Sequence, residues 1–125
     1  MQESPTELQL LQDVLDRSHR ESGRHIRSMF TEQSRISAAE LVSALPGIFE
    51  IHLAVTTSDG APMVAPVDAA LFRGRIWFGL PVYSVRSRLV RRDGRVSGSY
   101  KNRDQIEGGY HGWIDPRRMF AKDGF

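Results

Sequence analysis

Hydrophobic residues recur at helical spacing near the start of the chain, between positions 8 and 15 and again between positions 26 and 30. Ser4-Pro5-Thr6-Glu7 precedes them and combines a capping serine, a proline suited to the first helical position and a glutamate three residues after the cap. Gly23 interrupts the pattern. We therefore predict an amphipathic helical extension over residues 1–36 that packs on the domain or on a partner subunit.

A change in hydrophobic period marks the start of a sheet. Ser37-Ala38-Ala39-Glu40 is a second capping box, and Pro46-Gly47 ends the helix that follows. Apolar residues then occupy every second position from Phe49 to Val55, as in a half-buried strand. Asp59-Gly60 predicts a tight turn, because both residues tolerate the positive φ angles that such turns need.

The rest of the chain has the pattern of further strands with one helix between them. Pro66 falls within the second strand, where it marks a sheet edge or an irregularity because proline cannot donate to a ladder. Short turns between strands favour an antiparallel barrel or sandwich over a parallel sheet. The predicted elements are strands at 63–72, 75–80, 95–101 and about 108–115, and a helix at 84–92 with Ser84 as its cap.

Composition narrows the class of protein. The chain has 125 residues, 40% of them apolar and 26% charged, which is typical of one globular domain. No apolar run is long enough for a membrane helix. Without cysteine, disulfides and thiolate chemistry are excluded, and the start MQESPTELQ lacks the pattern of a secretory signal. We expect a cytoplasmic protein.

The usual catalytic and metal-binding motifs are absent. The sequence holds no phosphate-binding P-loop, GxGxxG, HExxH, calcium loop or serine nucleophile elbow. The four histidines His19, His25, His52 and His111 show no close metal-ligand spacing. We therefore predict no metal site and assign no catalytic residue.

Basic residues concentrate between positions 86 and 103. This segment holds seven of the 17 Lys and Arg residues, namely Arg86, Arg88, Arg91, Arg92, Arg95, Lys101 and Arg103. Two interpretations stay open, a solvated helix face or a local site for a phosphate or other acidic ligand. Nucleic-acid binding ranks last, because the segment has a single aromatic residue, Tyr100, in place of interleaved aromatics, and no recognition-helix signature.

The segment from Gly79 to Arg88 is the strongest candidate for a binding site. A strand ends, a short loop turns, and Ser84 opens a helix with Arg86 in its first turn. Unpaired N–H groups at a helix N-terminus, a serine hydroxyl and a guanidinium together suit a phosphate group. The alternative is an ordinary cap followed by a solvated basic helix.

From Ser37 to about Tyr100 the chain resembles the pyridoxamine-phosphate-oxidase-like family of FMN-binding proteins. The resemblance lies in the order of several landmarks, none of which is specific alone. They are Ser37–Leu45, Ile48–Thr57, Asp59-Gly60-Ala61-Pro62, Val64-Ala65-Pro66-Val67, Ile76-Trp77-Phe78, Ser84-Val85-Arg86 and Arg91-Arg92-Asp93-Gly94-Arg95-Val96. The resemblance implies an antiparallel split β-barrel, mainly β with flanking helices, over residues 37–125.

The resemblance also implies a cofactor and its contacts. Backbone at Ala65, Pro66, Val67 and Asp68 would run beside the flavin ring and ribityl chain, Gly79 and Leu80 would flank the ring edge, and Ser84, Val85 and Arg86 would hold the phosphate. Two subunits usually complete each site in such proteins. A homodimer is therefore implied, with residues 100–112, including His111-Gly112, facing the partner's flavin.

Several departures from the family limit what is carried over. Leu80 stands where members often have threonine, and Ala65 stands where true pyridoxamine-phosphate oxidases have a phosphate-binding arginine. The last strand and helix of the family have no recognisable counterpart, so the barrel is predicted to be C-terminally short. We therefore expect a flavin-dependent oxidoreductase with an unassigned substrate, not an authentic vitamin oxidase. The alternatives are a deazaflavin-dependent reductase of the same fold and a cofactor-free dimeric interaction module.

Overall fold

The computed structural model describes residues 3–45, 47–101, 110–115 and 118–123, with the backbone alone from residue 101 onward. The helices are α1 (Pro5–Arg20), α2 (Arg24–Met29), α3 (Ala38–Ala44) and α4 (Val85–Arg92). The strands are β1 (Phe49–Thr56), β2 (Pro62–Phe72), β3 (Arg75–Phe78), β4 (Ser97–Lys101), β5 (Tyr110–Asp115) and β6 (Arg118–Asp123). No helix among these residues combines the length and apolar character needed to cross a membrane.

The helices begin where the sequence predicted. Ser4 Oγ accepts the Glu7 N–H at 3.2 Å while Glu7 Oε2 accepts the Ser4 N–H at 2.8 Å, so the first capping box is complete. Gly23 is the N-cap of α2, which explains the interruption of the helical pattern. Ser37 caps α3 by accepting the Glu40 N–H.

The strands form one six-stranded sheet in the order β3-β2-β1-β4-β5-β6, and each neighbouring pair is antiparallel. An antiparallel sheet with flanking helices was predicted and is confirmed. Within the described ranges no pairing joins β3 to β6, so the sheet is open and does not close into a barrel. Strand β6 was not predicted, because Met119-Phe120 within RMFAKD gives too short an apolar signal.

The core lies on one face of this sheet. Alternate residues of β1 are buried, as the period of two predicted, and they pack with Val67 and Ala69 of β2. A second cluster lies between α1 and α3, where Leu11 and Leu15 pack against Leu41. Leu71 and Ile76 contact both clusters and so join the helices to the sheet.

Helix α1 contacts both ends of the sheet. It packs against β6, the last strand in the order, and its first turn approaches the turn that joins β2 to β3. There a Cβ on Gly74 would lie 2.7 Å from the backbone oxygen of Glu7, so only glycine allows this approach. The predicted N-terminal helix therefore packs on its own domain.

Candidate functional site

Ser84 opens helix α4, as predicted. Its Oγ accepts the Ser87 N–H at 3.1 Å, and the helix ends at Asp93. A hydroxyl that accepts one hydrogen bond still has its own hydrogen to donate. Of the first four N–H groups of α4, that of Ser84 donates to the Pro81 oxygen and that of Ser87 to Ser84 Oγ, so within the described residues those of Val85 and Arg86 remain as adjacent donors.

Arg86 connects the start of α4 to the middle of β2. Its Nη1 donates to the carbonyl oxygen of Pro66 at 3.1 Å and to that of Ala65 at 3.3 Å. The side chain is half-buried, and its hydrogen bonds within the described residues all come from Nη1. The Nε and Nη2 donors are therefore available for a further acceptor.

Pro66 lies where β2 has a strand on one side only. It pairs with His52 of β1, whereas β3 pairs with β2 only from Ala69 to Phe72. The Gly79 N–H, just past β3, still reaches the Asp68 oxygen at 3.4 Å. The predicted sheet edge at Pro66 is thus confirmed, and α4 meets β2 where the β3 ladder has ended.

The structure brings only some of the predicted site residues into contact. Arg86 contacts Ala65 and Pro66 directly, and Gly79 is hydrogen-bonded to Asp68. Val67 is buried and Leu80 packs against the sheet core, so their side chains face the interior. Asp68 and Val85 are exposed. The side chain of His111 lies outside the described part of the chain.

Three other arginines of the basic segment bind acceptors of the chain itself. Arg91 Nη2 donates to the Val82 oxygen at 2.8 Å, and Arg92 Nη2 donates to the Ser58 oxygen at 3.1 Å. Arg95 forms a 2.8 Å ion pair with Asp93, and its hydrogen bonds lower the pKa of Asp93 to about 2. Sequence reasoning missed the roles of Arg91 and Arg92, because they bind backbone oxygens, which no side-chain pattern reveals.

Arg88 differs from its neighbours. It is exposed, and no hydrogen bond or ion pair within the described residues involves its side chain. The contacts of the arginines whose side chains the structure describes therefore differ from one residue to the next. Arg86 retains unused donors beside β2, Arg91, Arg92 and Arg95 bind acceptors of the chain, and Arg88 is exposed.

Apolar side chains that face solvent flank the Arg86 contact. They are Val64 of β2 (60% exposed), Val82 and Tyr83 of the loop before α4 (65% and 95%) and Val85 at the start of α4 (55%). We name this set the apolar rim. Such a concentration of exposed apolar residues is typical of a surface that a ligand or a partner covers.

No described group of residues suggests metal or nucleophilic chemistry. No cluster of three His, Asp or Glu side chains within the described ranges could hold a metal ion. His25 and His52 are exposed, and His19 is half-buried in the N-terminal helix, distant in sequence from Ser84. The expectation that no catalytic residue can be assigned is unchanged by the geometry.

Comparison with known proteins gives a structural likeness alone. No family model matches the chain, and no curated protein matches it. The fold is similar to the crystal structure of the conserved hypothetical protein Rv2991 from Mycobacterium tuberculosis, with a TM-score of 0.59 and 23% sequence identity. The similarity covers 70% of this chain and 54% of that one, so the chain spans about half the length of that protein.

Proposed function

We propose that this chain binds FMN as a split-barrel protein of the pyridoxamine-phosphate-oxidase-like superfamily, with the phosphate at the start of α4. The observation that carries the proposal is the contact of Arg86 with the carbonyls of Ala65 and Pro66. Family resemblance assigns one of these segments to the phosphate and the other to the flavin ring. The two segments are adjacent in the fold although about 20 residues separate Arg86 from Pro66.

The residues at the start of α4 suit a phosphate group. The helix N-terminus provides N–H donors, the Ser84 hydroxyl has a hydrogen to donate, and Arg86 has N–H groups beyond those bound to β2. Arg86 is also held by β2 before any ligand arrives, so little side-chain freedom is lost on binding. Partial burial strengthens its attraction for an anion relative to an exposed arginine.

The neighbouring strand suits the edge of a flat ring. Before Ala69 one side of β2 has no paired strand, Pro66 contributes no N–H, and Gly79 has no side chain to obstruct a ligand. Because Leu80 packs into the core, polar contacts to a ring would come from backbone groups. A bound flavin would supply the redox chemistry, while these residues would position it. The reaction class would be flavin-dependent oxidation or reduction, with the substrate unassigned.

The apolar rim supports the proposal that two copies of the chain complete each site. Tyr83 is 95% exposed and the three valines of the rim are more than half exposed, and apolar surface left in water costs free energy unless something covers it. A second subunit that covers the rim would also exclude water from the phosphate and the ring. The same rim would suit a cofactor-free dimeric interaction module, which is the second candidate function.

Titration of the purified protein with FMN tests the proposal. Wild type should bind FMN, and Arg86→Ala should weaken binding about 10- to 100-fold, because a hydrogen bond to a charged group contributes about 1.5–3 kcal/mol. Arg88→Ala, which removes a charge from the same helix without removing a described contact, should bind within about threefold of wild type.

The outcomes separate the candidates. Absence of FMN binding by wild type would contradict the FMN proposal. Binding of a deazaflavin cofactor in its place would favour the reductase alternative of the same fold. A dimer that binds neither cofactor, measured by light scattering and titration, would favour the interaction module.

A further inference from the structure

We infer that Arg91 is a positioning residue for the proposed phosphate site, one that acts without contacting the ligand. The inference rests on the proposed function and concerns how the site is held in shape. Arg91 Nη2 donates to the Val82 oxygen at 2.8 Å and to Ser87 Oγ at 2.9 Å, and Arg91 Nε donates to the Ser87 oxygen at 3.3 Å. One guanidinium therefore binds both the loop before α4 and the first turn of α4.

Both partners of Arg91 adjoin the groups that would bind the phosphate. Val82 lies two residues before Ser84, in the loop that brings the chain into the helix. Ser87 donates its N–H to Ser84 Oγ at 3.1 Å and so orients the Ser84 hydroxyl. Arg91 consequently fixes the path of the loop and the residue that directs Ser84.

Loss of Arg91 would leave the loop with less support. Among the described residues, a backbone hydrogen bond from the Ser84 N–H to the Pro81 oxygen at 2.9 Å would remain in this loop. Val82 and Tyr83 are largely exposed and provide little packing to restrain the loop. The donors at the start of α4 would then sample several arrangements. Phosphate binding would have to restrict them to one arrangement, and this ordering would weaken the affinity.

Arg88 provides a matched control for charge. It lies on the same helix and carries the same charge, but its side chain makes no hydrogen bond or ion pair within the described residues. Arg88→Ala therefore measures the effect of removing one positive charge near the site. Any further decrease of FMN affinity in Arg91→Ala is then due to removal of the hydrogen bond to the loop.

The experiment measures FMN and riboflavin affinity for wild type, Arg91→Ala, Arg91→Lys and Arg88→Ala. We expect Arg91→Ala to weaken FMN binding about three- to tenfold relative to Arg88→Ala and to leave riboflavin affinity unchanged, because riboflavin has no phosphate. Arg91→Lys keeps the charge but cannot form the bidentate contact of a guanidinium, so we expect an intermediate loss of FMN affinity. Amide hydrogen exchange at Ser84 and Ser87 without flavin should accelerate in Arg91→Ala and not in Arg88→Ala.

Two results would overturn the inference in different ways. Suppose that wild type binds FMN and that Arg86→Ala weakens this binding, while Arg91→Ala and Arg88→Ala have equal FMN affinities. The proposed function then stands and the positioning role is refuted. If wild type binds no FMN, the proposed function fails and the site that Arg91 would position fails with it. Arg91→Lys, the milder variant, keeps the comparison decisive if Arg91→Ala does not fold.

Discussion

Replacement of Gly74 by alanine tests how the N-terminal helix is attached to the sheet. Gly74 has a φ of +75°, and a Cβ at this position would lie 2.7 Å from the backbone oxygen of Glu7 in the first turn of α1. Gly60 offers a matched control, because its φ is +87° but nothing lies within 4 Å of a Cβ built there. The two substitutions share the backbone strain and differ in the contact with α1.

The expected magnitudes follow from these two contributions. A residue with a Cβ in the left-handed conformation costs about 1–2 kcal/mol, so Gly60→Ala should lower the free energy of unfolding by about that amount. Gly74→Ala adds a contact with backbone that the Ser4–Glu7 capping box holds in place. Displacement of well-packed groups costs about 1–3 kcal/mol more. We therefore expect a total loss of about 2–5 kcal/mol for Gly74→Ala.

Urea unfolding followed by circular dichroism measures both variants on the same scale. We expect Gly74→Ala to lose at least about 1 kcal/mol more stability than Gly60→Ala, which is the lower bound of the added contact. Equal losses would refute the reasoning, because they would mean that α1 does not press against the turn between β2 and β3.

Two further predictions concern the core and the response to pH. Leu53→Ala should lower the free energy of unfolding by about 2–5 kcal/mol, because Leu53 is 1% exposed in the sheet core. Leu10→Ala, at a site 56% exposed on α1, should stay within about 0.5 kcal/mol of wild type, and similar losses in the two would contradict the assigned core. Burial and the nearby Arg35 lower the pKa of His19, whose Nδ1 has no hydrogen-bond partner within the described residues. The contribution of neutral His19 to the free energy of unfolding is therefore fully present above the ordinary pKa of histidine. It is lost as the pH falls toward the lower pKa of the folded state. Urea unfolding from about pH 8 to about pH 5.5 should show a steeper loss in wild type than in His19→Gln, and parallel losses would contradict that role.

Local signals in the sequence predicted much of the fold. The caps at Ser4, Ser37 and Ser84 and the alternation along β1 depend on residues a few positions apart, and each was confirmed. The end of β3 was placed two residues too late, because Gly79-Leu80 continues the alternating pattern while the β2 ladder stops at Phe78. Strand β6 was missed because its apolar signal is short and its formation depends on pairing with β5, which the local sequence does not reveal.

The contacts that shape the candidate site could not be predicted from the sequence. The sequence places Arg86, Arg91 and Arg92 in one basic cluster, yet their acceptors are backbone oxygens of Pro66, Val82 and Ser58. A backbone oxygen is present at every residue, so no side-chain pattern reveals which one an arginine will bind. The approach of α1 to Gly74 likewise depends on the strand order, which local signals do not determine.

A thermodynamic cycle tests the central claim most directly. The affinities of FMN and riboflavin are measured by fluorescence titration for wild type and for Arg86→Ala. We predict that wild type prefers FMN over riboflavin and that Arg86→Ala lowers this preference about 10- to 100-fold, with riboflavin affinity little changed. An equal preference for FMN in both proteins would contradict the claim that Arg86 and the start of α4 bind the phosphate.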